Sequence, residues 1–75
     1  MKMGNKLLID YKKLAKRLQN KFHTKFISHP EYDVIEAPYV YGNWELDKEI
    51  TNYLKQLGYK IMFNGIDDAG MYNFE

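Results

Sequence analysis

The chain contains no cysteine. A disulfide, a thiolate metal site and a cysteine nucleophile are therefore all excluded. Its one serine, Ser28, lacks the G-x-S-x-G setting of a nucleophile elbow. There is no glycine-rich phosphate loop either: Gly65 and Gly70 bracket Asp67 and Asp68, whose charges repel a phosphate. The same two aspartates lack the alternating oxygen ligands and distal glutamate of an EF-hand loop. The two histidines, His23 and His29, lie near Glu31 and Asp33, but six residues ending against Pro30 give no zinc-ligand spacing. Carboxylate pairs such as Glu31/Asp33 and Asp47/Glu49 can do acid–base work, yet nothing in the sequence marks a pocket around them. No metal, no cofactor and no enzymatic activity are expected. No apolar run approaches the ~20 residues of a membrane span. The N-terminus has a lysine but no apolar h-region or small-residue cleavage site, so a cytoplasmic chain is expected.

What is present suits a small binding domain. Seventy-five residues make one domain, with residues 1–4 as a loose start. A chain this short buries only about 60–65% of its unfolded surface, so the core must be efficient or an oligomer or partner must add to it. Seven tyrosines, four phenylalanines and one tryptophan supply that area. The formal net charge of +1 hides an asymmetry. Residues 1–29 hold eight cations against Asp10 alone, net +7; residues 30–75 hold three cations against nine carboxylates, net −6. The halves either attract each other or reach for partners of opposite sign.

Residues 46–63 are the best-defined stretch. Leu46, Ile50, Tyr53, Leu54 and Leu57 form one helical stripe, with Asp47, Lys48, Glu49, Asn52, Lys55 and Gln56 on the water side. Asn43 is a suitable N-cap and Gly58 a suitable left-handed stop. The period then changes to two, which places Tyr59, Ile61 and Phe63 on the buried face of a strand. Earlier in the chain, Leu7, Leu8, Tyr11, Leu14, Ala15, Leu18 and Phe22 form a second stripe. It predicts one long helix from an Asn5 cap to about His23; a short strand over residues 6–10 followed by an Asp10 cap is the alternative. Residues 32–41 read as a strand in which Pro38 forces an edge position or a bulge. Residues 65–70 have turn composition, and 71–74 return as a strand with Tyr72 and Phe74 on one face. The order α-β-α-β-β predicts a two-layer α+β domain, an antiparallel or mixed sheet of about three strands packed against two helices, with Phe26 and Ile27 as a possible further strand.

Two surfaces stand out. Tyr39, Tyr41 and Trp44 cluster after Pro38, off the apolar stripes, near Glu45, Asp67 and Asp68. That is the composition of a protein-binding hot spot with an acidic rim, suited to a partner with a basic surface. Lys12, Lys13, Lys16, Arg17 and Lys21 form the exposed side of the first helix, where like charges at i,i+4 invite an anion such as nucleic-acid phosphate. The expected function is a small non-enzymatic module, an inhibitor or adaptor that occupies a surface of a partner protein. In size and composition such a chain is similar to the accessory proteins of phages and mobile elements. The alternative is nucleic-acid binding through the basic helix.

Overall fold

The computed structural model describes residues 9–66 and 69–75. The chain runs α1 (Tyr11–Phe22), β1 (Ile27–His29), a 3-10 turn (Pro30–Tyr32), β2 (Val34–Glu36), α2 (Trp44–Gln56), β3 (Ile61–Phe63) and β4 (Met71–Phe74). The sheet order is β1-β2-β4-β3, and every neighbouring pair is antiparallel. Two hairpins, β1–β2 and β3–β4, thus lie side by side, joined where β2 meets β4. This is the expected α+β class, with four strands; the added one is β1, the short extended piece after Phe26. No described helix is long and apolar enough to cross a membrane.

Helix α1 begins at Tyr11, later than an Asn5 cap predicts; Asn5, Leu7 and Leu8 lie outside the described residues. Asp10 is the cap: its backbone is extended and its carboxylate accepts the Lys13 N–H at 3.1 Å. This also settles Ile9, which a helix starting at Asn5 puts among the lysines; it packs instead against the core. Tyr11, Leu14, Ala15 and Leu18 are buried, as the stripe predicts. Helix α2 forms as read. The Asn43 side chain accepts the Leu46 N–H at 3.1 Å. At the far end Gly58 takes φ +94°, its N–H reaches Lys55 O at 3.0 Å and the Tyr59 N–H reaches Leu54 O at 3.1 Å. Those two bonds form a Schellman stop, which satisfies orphan carbonyls and turns the chain toward β3.

Pairing Ile35 with Tyr72 sets the core face of the sheet. Ile35, Tyr72 and Phe74 join Leu14, Leu18, Ile50 and Leu54 in one buried cluster. Two sequence expectations fail here. The long edge strand over 32–41 shrinks to three residues, and β2 sits inside the sheet. Tyr32 belongs to the 3-10 turn, Asp33 turns left-handed at φ +56°, and Pro38 falls in a turn beyond the ladder, where its missing N–H costs no strand pairing. Phe63 is the second. It is 50% exposed, because a register shift between Ile61 and Phe63 pairs them with the adjacent residues Phe74 and Asn73. The extra residue of that bulge moves Phe63 to the Asn73 side, away from the core.

Candidate protein-binding surface

Beyond β2 the chain must leave the sheet, and three contacts hold it as it does. The Ala37 N–H donates to Gly70 O at 2.6 Å, the Val40 N–H to Ala37 O at 3.0 Å and the Asn43 N–H to Val40 O at 2.8 Å. Val40 is fully buried and anchors the turn. Its neighbours therefore point outward: Tyr39 is 67% exposed, Tyr41 69% and Trp44, the first residue of α2, 71%. Tyr39 and Tyr41 thus flank a buried Val40 in a turn, and not in the strand expected over 32–41. Gly42, at φ +85°, makes the last bend before the helix cap.

Tyr41, Gly42 and Trp44 line an open groove of about 490 Å³ with Ile66, which reaches it from the β3–β4 connection. The structure thus brings Tyr41 and Trp44 together. Tyr39 lies on the same turn but outside the groove lining, and Glu45 is exposed beside Trp44 in the first turn of α2. Asp67 and Asp68 lie outside the described residues.

The groove rests on a polar contact that the sequence reading missed. Asp47, assigned above to the water side of α2, is buried. Its Oδ1 accepts the Tyr72 hydroxyl at 2.8 Å and the Ile66 N–H at 3.3 Å. A buried carboxylate is tolerable only with such donors. The helix, the central strand β4 and the groove residue Ile66 are thereby tied to one side chain. Burial, then the hydrogen bond to Asp47, then its charge, push the Tyr72 hydroxyl pKa far above the usual tyrosine range. Gly65 completes the joint: a Cβ there would stand 2.5 Å from Val40 Cγ1 and 2.9 Å from the Tyr72 ring. No local pattern announces Asp47, since its donors lie far along the chain. Ile66 had a weak signal, as the one large apolar residue in a turn-like segment.

The remaining candidates separate. Among the described residues no group of three metal-ligating side chains forms. His29 Nε2 lies 2.9 Å from Glu36 Oε1, across the sheet face away from the helices. Lys12, Lys13, Lys16, Arg17 and Lys21 are all exposed on α1. No described carboxylate forms an ion pair with them. Arg17 Nε donates to the Tyr53 hydroxyl at 2.9 Å, and Lys21 Nζ lies 5.2 Å from the centre of the same ring. No family model matches the chain, and no curated protein or solved structure was found to be similar to it.

Proposed function

We propose that the protein is a small non-enzymatic binding module, an inhibitor or adaptor of the cytoplasm, that covers a surface of a partner protein with the turn carrying Tyr39, Tyr41 and Trp44. The observation behind this reading is the joint exposure of those three rings at about two-thirds or more of their surface, on a turn fixed by Val40. A tyrosine or tryptophan buries 150–250 Å² or about that when covered, and these two residue types dominate interface hot spots. A rigid turn also spares the ordering entropy that a mobile loop loses on docking. Glu45 stands at the edge, where a carboxylate steers a basic partner surface more than it adds to affinity. Blockade is steric: the partner loses whatever its covered surface did.

Capture from a lysate of the native host, run in parallel with wild type, Tyr41→Ala, Trp44→Ala and an Asn20→Ala control, tests the reading. The expected result is a protein retained by wild type and the control and lost from both aromatic variants. A retained set that is identical for all four proteins contradicts it.

A further inference from the structure

The five cations of α1 do not form one undivided patch. Lys12 and Lys16 stand on one row. Lys13, Arg17 and Lys21 stand on another, at i, i+4 and i+8, so each is about 6 Å along the helix from the next. The second row faces tyrosines: Arg17 bonds to Tyr53, Lys21 sits over the Tyr53 ring, and Lys13, Arg17 and Tyr59 line one groove of about 230 Å³. A second groove, about 260 Å³, is lined by Lys21, Phe22 and Tyr53, and the Arg17–Tyr53 bond links the walls of the two. Both rings are braced from behind, Tyr53 edge-on to Phe22 with centroids 5.6 Å apart and Tyr59 edge-on to Phe74 at 5.7 Å.

We infer that this seam between α1 and α2 binds a single-stranded nucleic acid, with Lys13, Arg17 and Lys21 on successive phosphates and Tyr53 and Tyr59 beside the bases. Three features carry it. The like charges at i,i+4 oppose one another, and no described carboxylate pairs with them. Arg17 is already oriented, because its Nε is used by Tyr53 while its two terminal nitrogens are left for a phosphate. The row lies along a seam walled by rings, a shape for one strand and not for the broad backbone of a duplex. Two carboxylates also line the grooves. Asp10 is occupied in capping α1, and Glu49 sits exposed in the groove beside Lys21, where it opposes a phosphate.

Fluorescence anisotropy with a labelled oligothymidylate of ~12 nucleotides, and with a duplex of the same length, tests the site on the full chain. Wild type should bind the single strand more tightly than the duplex, with log affinity falling against log salt at a slope of about −2 for three phosphates. Lys13→Glu with Lys21→Glu should weaken it at least ~30-fold, and Lys12→Glu with Lys16→Glu at most ~5-fold. Glu49→Gln should tighten it ~2- to 5-fold, which loss of a structural contact would not do. Tyr53→Phe, which keeps the ring but frees Arg17, should weaken it ~3- to 10-fold. Circular dichroism checks each fold; if the row reversal unfolds, Lys13→Gln with Lys21→Gln replaces it, with a loss of at least ~10-fold expected. No binding at low salt, a preference for duplex, or equal losses from the two rows overturns the inference. Partner capture plays no part in this readout, so failure here leaves the aromatic turn untouched, and the reverse.

Discussion

Two groups of aromatic side chains in this small protein behave in opposite ways. Tyr11, Phe74 and Tyr59 meet edge to face, as do Phe22 and Tyr53, with centroids 5.6–5.7 Å apart. Tyr39, Tyr41 and Trp44 make no ring contact among the described residues and stand in solvent. The residue types are the same; their placement differs. The first group lies on helix stripes and strand faces that the sheet closes over. The second rides on a turn held down by Ala37 and Val40, both buried. Aromatic content alone therefore does not measure core, since the exposed group leaves about two-thirds of each side chain outside it.

That contrast can be broken by substitution. The largest effect is expected from the packed group: Phe74→Ala should cost about 3–5 kcal/mol by opening a cavity between Tyr11 and Tyr59, measured by urea unfolding. Next comes the joint under the groove. Gly65→Ala forces a methyl against Val40 and the Tyr72 ring, and overpacking of this kind costs about 1–3 kcal/mol. Tyr72→Phe leaves the Asp47 carboxylate short of a donor, with a loss of about 1–3 kcal/mol, and should also loosen Ile66. Exposed rings should behave differently: Tyr39→Ala and Trp44→Ala should each shift stability by no more than about 0.5 kcal/mol.

Alkaline pH sharpens the same comparison without mutation. The Tyr72 and Tyr11 hydroxyls have folded pKa values raised above the normal range, first by burial and then by Asp47 and Asp33, which accept hydrogen bonds from them at 2.8 and 3.1 Å. In the unfolded chain both ionise near pH ~10. Their contribution is thus complete below that pH and is lost as pH rises toward the folded values. Unfolding free energy should decline above pH ~10, and in Tyr72→Phe the decline should be shallower. An equal slope in wild type and variant would remove Tyr72 from that account.

Local chemistry explains which parts of this structure could be read in advance. The Asn43 cap, the α2 stripe and the Gly58 stop are contiguous in sequence, so their residues state their roles directly. Tyr72 and Phe74 follow from simple alternation. An apolar stripe that continues upstream through Leu7 and Leu8 favours the Asn5 start over the alternative Asp10 cap, and only the extended backbone of Asp10 marks it as the actual boundary. The length of β2 is set by its pairing with residues 71–73, and the exposure of Phe63 by a bulge against β4; neither is a property of its own segment. Asp47 is the sharpest case. On a wheel it belongs with Lys48 and Glu49, yet Tyr72, 25 residues on, draws it inside. At the candidate site the exposure of Tyr39, Tyr41 and Trp44 is legible from their place off the apolar stripes, although a strand and not a turn is expected for Tyr39 and Tyr41, whereas the groove depends on Ile66 arriving from another element.

Whether the turn carrying Tyr39, Tyr41 and Trp44 is a docking surface or displaced core is decided by a single variant. Measuring thermal stability and affinity for the captured partner on one preparation of Trp44→Ala tests it directly. A docking surface requires a Tm within about 4 °C of wild type together with an affinity loss of at least ~30-fold, the scale of a hot-spot tryptophan. A Tm lowered by more than about 10 °C, or an affinity equal to wild type, would contradict it.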